Sequence, residues 1–197
     1  MGTTQSDPAV AGIETPSAGA WRFDKAHTNL GFLARHLMVT KVRGRFNDFD
    51  GTIHIGERPE DSHVEVVVKT ASVETGSNDR DTHLRSPDFF DVERYPEMTF
   101  RSTKVEQTGD TSLRIAGDLT IRDVTRPVTF DADFEGLVAT PWGSKAAAFS
   151  ATAEVEREHW GLTWNVALES GGWVVSKKVK ISIDAEITPA TAAEEAA

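Results

Sequence analysis

Four stretches of the chain alternate between apolar and polar residues with a period of two. In residues 179–187, valine, isoleucine and alanine occupy the odd positions, and lysine, serine, aspartate and glutamate occupy the even ones. Successive side chains of a β-strand point to opposite faces, so this alternation predicts a strand with one buried face and one solvent-facing face. The other three stretches lie at residues 113–121, 128–134 and 147–155.

The number of predicted strands suggests a closed all-β architecture. Further strands are expected near residues 20–25, 29–39, 43–56, 63–73 and 97–106, which gives about eight or nine strands. This number suits a single antiparallel β-barrel of about eight strands, because closure removes the exposed sheet edges that invite aggregation. A sandwich of two sheets is also compatible with the pattern alone.

The alternation stops in residues 72–94, which predict a different element. Polar residues run up to Pro87. The loss of alternation and the polar residues before Pro87 suit a short helix, which should end near the proline because a proline disfavours helical geometry in the residue before it. We therefore predict a short helical cap near residues 76–90. Residues 157–176 are the least regular part of the chain. Polar, non-alternating ends predict disordered tails at residues 1–19 and 189–197, on either side of one barrel domain at residues 20–188.

Polar residues and glycines interrupt the predicted strands in a distinctive order. This order is Asp24, His27, His36, Gly44, Phe46, Phe49 and Gly51, followed by Arg80, Asp81, His83, Leu84 and Arg85. It continues through SPDFFDVERYPEMTFRST, GDLTIRDVTRPVTF and VKISIDAEI. With these motifs, over about residues 20–188, the chain resembles the YceI-like family. The resemblance implies a lipocalin-like barrel that binds polyisoprenoid lipids, and it favours the barrel over the sandwich.

Composition narrows the classes of partner. The 31 acidic residues outnumber the 21 lysines and arginines, and the net charge of -10 opposes attraction to nucleic-acid phosphates or anionic lipid headgroups. No apolar run approaches the roughly 18–20 residues of a transmembrane helix. The chain has no cysteine, and its first residues lack the basic start and apolar core of a secretory signal. We therefore expect a cytoplasmic location.

The interior of the predicted barrel is the first candidate binding site. A barrel of about eight strands has room either for packed side chains or for one ligand. Aromatic residues on strand faces usually pack against each other, which favours a filled core. Small residues such as Ala132 and Ala151 leave volume, however, and the family resemblance favours a hydrophobic channel. The predicted channel residues are Phe32, Ala34, Phe46, Phe49, Phe100, Phe130 and Phe149.

The cap and the irregular segments supply the rest of the predicted ligand-binding site. Apolar residues there either gate the entry of a ligand or seal one end of the barrel; they are Leu84, Phe89, Phe90, Trp160 and Trp164. His36 and His83 complete the set, although structural hydrogen bonding is the simpler role for a single histidine. Arg80 and Arg85 are candidates for binding a lipid head group, because guanidinium groups bind phosphate oxygens in a fork. The alternative for these arginines is internal pairing with Asp81, Asp88 or Asp91.

No local motif indicates a metal site, a cofactor or a catalytic centre. The six histidines are scattered without HxH or HExxH spacing, and GxSxG, P-loop and GxGxxG motifs are absent. We interpret the chain as a non-catalytic protein that binds, carries or stores an isoprenoid-type lipid or a quinone-like amphiphile. One alternative is an enzyme that uses His36 or His83 as acid or base on a small apolar substrate. Another is a filled barrel with a stress-related or partner-binding role. The family resemblance also permits a homodimer.

Overall fold

Antiparallel strands dominate the computed structural model, which describes residues 14–141, 143–169 and 171–190. The strands are β1 (Gly19–Phe23), β2 (Asn29–His36), β3 (Thr40–Phe46), β4 (Phe49–Ile55), β5 (His63–Lys69), β6 (Val73–Glu74), β7 (Glu97–Gln107), β8 (Ser112–Ile121), β9 (Val124–Ala139), β10 (Lys145–Glu156) and β11 (Val175–Pro189). The helix α1 (Asn78–Arg85) lies between β6 and β7. Short 3-10 turns occur at Pro59–Asp61, Thr70–Ser72 and Arg157–Trp160.

The strands close into an eight-stranded antiparallel barrel, as predicted. Around the ring, the hydrogen-bonded order is β1, β4, β5, β7, β8, β9, β10 and β11, and β1 also pairs with β11. β2 continues the wall that β1 begins, because both pair with consecutive parts of β11. β3 and β4 form a second interrupted strand, and β5 and β6 form a third. Closure excludes the two-sheet sandwich.

Inward and outward faces follow the alternation seen in the sequence. In β9, Val128, Phe130, Ala132 and Phe134 are buried, whereas the residues between them are exposed. The apolar faces of the strands therefore line the inside of the barrel, and the charged faces meet solvent.

Two inward-facing glycines make room for aromatic rings on neighbouring strands. A Cβ atom at Gly44 would lie 2.3 Å from Cζ of Phe32. At Gly117 it would lie 2.5 Å from Cζ of Phe100 and 2.4 Å from the carbonyl oxygen of Arg101. These distances are too short for any side chain, so glycine is required wherever the ring lies across the strand.

The predicted helical cap is present and is shorter than expected. We predicted it near residues 76–90, and α1 spans residues 78–85, with turns from Ser86 onward. The buried carboxylate of Asp81 ties its first turn to the preceding chain. Asp81 Oδ1 accepts hydrogen bonds from the Thr75 amide at 2.8 Å and from the Thr75 hydroxyl at 2.5 Å.

The barrel wall has a seam beside this cap. β5 pairs with β7 as far as Lys69 and Glu97, whereas β6, in the described part of the chain, pairs with β3 alone. The ladder between β6 and β7 is therefore missing. Leu84 and Phe90, in the cap segment (residues 75–96), pack against the core cluster that contains Val73 of β6. The cap segment thus covers the seam.

Most of the two predicted tails lies outside the described residues. Where the chain is described, the carbonyl of Ser17 accepts a hydrogen bond from the indole of Trp21 at 3.0 Å, and Gly19 already belongs to β1. β11 ends at Pro189. None of the helices in the described ranges combines the length and hydropathy that crossing a bilayer requires.

Candidate functional site

A cavity of about 1420 Å³ runs through the barrel. Its walls are largely apolar and come from the inward faces of the strands, with further residues from the cap segment. Many of the predicted ligand-binding residues line it, namely Phe32, Ala34, Phe46, Leu84, Phe89, Phe90, Phe100, Phe130, Phe149 and Trp160. The alternation of the strands therefore brings residues from distant parts of the sequence to one apolar space.

The exposure of these side chains distinguishes a hollow barrel from a filled one. In a packed core, inward-facing apolar residues would be fully buried. Phe32, Phe100, Ile115 and Ile181 face inward but are only half-buried, because they border the cavity. The barrel is therefore hollow.

Small side chains create part of this volume. Ala132 of β9 and Ala151 of β10 are direct cross-strand neighbours, and both line the cavity. The next residue across the sheet from Ala151 is Ile183 of β11. Two adjacent alanines leave a recess in the wall where larger side chains would meet.

The two ends of the cavity differ. Phe89, Trp160 and Leu162 are buried at the cap end, where the indole of Trp160 donates a hydrogen bond to the Leu119 carbonyl at 3.0 Å. At the opposite end the lining includes exposed charged side chains, Glu57, Arg58, Glu60, Lys104 and Asp110. The cavity therefore opens between the β4–β5 loop and the β7–β8 turn. This geometry favours sealing over gating for the cap aromatics.

Four of the predicted ligand-binding residues lie away from the cavity. Phe49 is buried in the wall, where its ring packs edge-on against Phe23. His36 is exposed at the end of β2. His83 packs edge-on against Trp164, with 4.5 Å between ring centroids, and neither lines the cavity.

His83 also forms the type of pair that the enzyme alternative requires. Its Nε2 lies 2.9 Å from Oδ2 of Asp88. Both side chains are partly exposed on the cap, outside the cavity, so this pair is not placed to act on a substrate inside the barrel.

The two predicted head-group arginines make internal contacts. Arg80 donates hydrogen bonds to the hydroxyl of Thr75 at 2.7 Å and to its carbonyl at 2.9 Å. Arg85 donates to the carbonyls of Ala71 at 2.8 Å and Val73 at 2.7 Å. Both arginines therefore bind within the protein, which fits the alternative to a head-group site, although their partners are not Asp81, Asp88 or Asp91.

Arg157 is a cavity residue that our sequence reasoning missed. It is 6% exposed and lines the apolar cavity near the cap end. Its guanidinium donates hydrogen bonds to the carbonyls of Ser176, Leu162 and Val175, and lies 5.9 Å from the ring centroid of Phe89. Carbonyl groups do not neutralise its charge, and burial lowers the pKa of Arg157. Continuing the alternation of β10 two residues past Val155 would have placed this arginine on the inward face.

Among the residues that the structure describes, one cluster of possible metal ligands occurs, and it lies outside the barrel. His27 Nδ1 lies 3.0 Å from Oδ2 of Asp24 and 3.8 Å from Oε1 of Glu186. The hydrogen bond that His27 donates to the Asp24 carboxylate raises the pKa of His27 and lowers the pKa of the Asp24 carboxyl. The contact of His27 with the two carboxylates explains why these three side chains lie together.

A closed antiparallel barrel around an apolar cavity defines a lipocalin-like protein. A family model, the YceI-like domain, matches residues 21–187. The chain belongs to the YceI-like family.

Individual relatives agree with this family. A UPF0312 protein of Staphylococcus aureus strain N315 is 36% identical over 169 residues, which cover 84% of this chain and 95% of the relative. The crystal structure of a YCEI protein of Campylobacter jejuni, 29% identical, covers 85% of this chain and 96% of its own, with a TM-score of 0.69. A polyisoprenoid binding domain from Saccharophagus degradans shares the fold at 15% identity, with a TM-score of 0.64 and coverage of 86% and 98%.

Proposed function

We propose that this protein binds one isoprenoid-type lipid inside its barrel, for carriage or storage. The observation that carries the proposal is the apolar cavity of about 1420 Å³ with half-buried apolar walls. Such a space is filled most favourably by a long apolar chain. The fold shared with a domain described as polyisoprenoid binding supports the same class of ligand.

The cavity volume sets the length of the proposed ligand. If each methylene-sized group takes up ~30 Å³, as a liquid water does, 1420 Å³ holds about 47 such groups. This corresponds to about nine isoprene units of five carbons each. Burial contributes ~0.8 kcal/mol per CH₂ group, so a single five-carbon unit contributes about 4 kcal/mol. Affinity should therefore rise with chain length until the cavity is full.

We further propose that Arg157 contacts a polar head that enters first. Two of its five N–H donors have no partner among the described residues, and its charge lies in an apolar surrounding. The charged residues at the open end are mainly acidic, which disfavours an anionic head there. A phosphate or a quinone carbonyl suits the remaining donors of Arg157.

Native mass spectrometry of protein purified from its own host, followed by extraction of the bound material, tests the function. We expect one added mass that matches an isoprenoid chain, or binding of added long prenols by the ligand-free protein. Protein that carries no bound lipid and binds no added prenol of any length would contradict the proposal.

Comparing prenyl phosphate with the prenol of equal length tests the head-group contact. Hydrogen bonds to a charged group contribute about 1.5–3 kcal/mol, so the phosphate should bind roughly 10- to 150-fold more tightly. Arg157→Gln should remove this preference, while Arg114→Gln on the outer surface should keep it. Equal affinities in the unmodified protein would refute the role of Arg157 and leave the apolar site intact.

A further inference from the structure

Exposed apolar side chains are concentrated at one place on the surface. Six large apolar residues in the described ranges are exposed, and five of them lie close together: Leu37, Met38 and Val39 in the β2–β3 turn, and Val166 and Trp173 in the loop before β11. The Leu37 amide donates to the Val174 carbonyl at 2.9 Å, which joins turn and loop. We call these five residues the apolar tip. Val39 is 76% exposed.

The β2–β3 turn holds two large apolar residues at backbone angles that do not suit them. Leu37 and Met38 have φ angles of 50° and 62°, and the Val39 amide donates to the His36 carbonyl at 3.1 Å. Turns with two positive φ angles favour asparagine and glycine, because a larger side chain is strained there. Leucine and methionine at these positions are both strained and exposed. Residues that break a local rule without a structural gain are expected at functional surfaces.

The strands behind the tip carry a group of cations. The outward-facing residues Arg35, Lys41, Arg43 and Lys180 form what we call the basic wall. Arg35 and Lys41 are direct cross-strand neighbours, an arrangement that is unfavourable for like charges. Within the described part of the chain, none of the four forms an ion pair; Glu154, opposite Lys180, pairs with Lys178 instead. The chain as a whole has a charge of -10, so this face differs from the average surface.

We propose that the apolar tip and the basic wall dock this protein onto an anionic lipid bilayer. An apolar tip can enter the boundary between headgroups and acyl chains, to a depth of about 5–10 Å. At roughly 3.3 Å per residue, Arg35 and Lys41 lie about 7 Å behind Val39, at the level of the headgroups. The guanidinium of Arg35 reaches the Val39 carbonyl at 3.4 Å, which keeps charge beside the tip.

The net charge of -10 disfavours binding to anionic headgroups only if the charge is spread evenly over the surface. Electrostatic attraction to a membrane falls off within about 8–10 Å at physiological salt, so the charges nearest the bilayer dominate. The docking surface lies on the outside of the barrel, so docking does not depend on the ligand in the cavity.

Flotation with vesicles of phosphatidylcholine alone, or of phosphatidylcholine mixed equally with phosphatidylglycerol, tests this surface. We expect binding to the mixed vesicles only, and weaker binding as salt rises. The double variant Leu37→Asn with Met38→Gly gives the turn the residues that it favours, so it should fold at least as well and yet lose binding more than tenfold. Val138→Asn, at the other exposed apolar residue, is the matched control and should bind normally.

A second pair of variants separates charge from hydrophobicity. Lys41→Gln with Arg43→Gln should weaken binding roughly 30-fold, whereas Arg101→Gln with Arg114→Gln on the other side of the barrel should have little effect. Equal binding to neutral vesicles, or unchanged binding of the tip variant, would overturn the proposal. A concentration-dependent dimer that the tip variant abolishes, without vesicle binding, would identify a second copy as the occupant instead.

Discussion

Placing a large side chain at Ala151 separates a hollow barrel from a filled one. Ala151 faces inward at the centre of β10 and borders the cavity beside Ala132. In a packed core, the added ring of Ala151→Trp would force neighbouring side chains aside at about 1–3 kcal/mol or more. In the hollow barrel the ring enters empty space, so the free energy of unfolding should change by less than ~1 kcal/mol.

The same substitution should remove most of the ligand affinity. An indole ring at Ala151 takes space that a long chain needs to pass along the cavity. If it excludes one isoprene unit, the complex loses about 4 kcal/mol at ~0.8 kcal/mol per CH₂ group. Because 1.4 kcal/mol is a tenfold change, the Kd of a long prenol should rise on the order of 1000-fold. Shorter prenols should be less affected.

Urea unfolding and prenol titration followed by native mass spectrometry measure the two effects. The matched control is Thr152→Trp, because Thr152 is the next residue in β10 and points outward to solvent. This variant should bind prenols normally and unfold at a similar urea concentration. If Ala151→Trp unfolds several kcal/mol more easily than the control, the cavity is not empty at this point. Normal binding of a long prenol by a stable Ala151→Trp variant would show that the ligand does not pass there.

Three further substitutions test the wall, the cap and the outer ion pair. Gly117→Ala should destabilise the barrel by about 1–3 kcal/mol in urea unfolding, because the added Cβ would lie 2.4 Å from a main-chain oxygen. The control Gly109→Ala should leave the stability unchanged, because the nearest atom to its Cβ would be 3.4 Å away. Asp81→Ala removes a buried carboxylate, leaves the half-buried Thr75 amide without its partner and should cost about 1–3 kcal/mol in the same assay. An unchanged midpoint would contradict the role of Asp81 in the cap. In an NMR titration, the raised pKa of His27 should return towards its ordinary value in Asp24→Asn. The stabilisation from this pair should be fully present at pH values between the ordinary pKa of aspartate and the ordinary pKa of histidine. It should be lost as pH rises through the raised pKa of His27, and also as pH falls through the lowered pKa of Asp24. An unshifted His27 in the variant would contradict the pairing.

The barrel was predictable because its information is local. Period-two alternation identified the strands β8 to β11, and their inward faces follow from the same parity. The strand breaks were not predictable. We expected one strand over residues 63–73, but the buried Thr70 ends β5 by bonding Pro96 and Tyr95, which are distant in sequence.

The end of β2 shows a second limit of local patterns. We expected a strand over residues 29–39, and the chain instead turns after His36. Leu37 and Met38 adopt positive φ angles there, although neither is a residue type that signals a turn. A turn built from apolar residues therefore looks like a continuing strand.

The apolar part of the site followed from strand parity, whereas its polar part did not. Arg80 and Arg85 are candidates because of their chemistry, but Arg80 bonds the hydroxyl and carbonyl of Thr75, and Arg85 bonds the carbonyls of Ala71 and Val73. No residue type marks a main-chain carbonyl as a partner. Arg157 was identifiable, since it continues the inward face of β10. The alternation of apolar residues ends at Val155, so an arginine two positions further on carries no apolar signal of an inward face.

The seam between β6 and β7 determines how the barrel can change size. Separating two paired strands requires the loss of a continuous hydrogen-bond ladder. The cap segment is held instead by apolar packing and by individual contacts, such as the two hydrogen bonds from Arg85 to the carbonyls of Ala71 and Val73. Local opening is easiest where few contacts must break together. We therefore expect the cap segment to be the part of the wall that moves outwards most easily, while the ring of strands keeps its circumference.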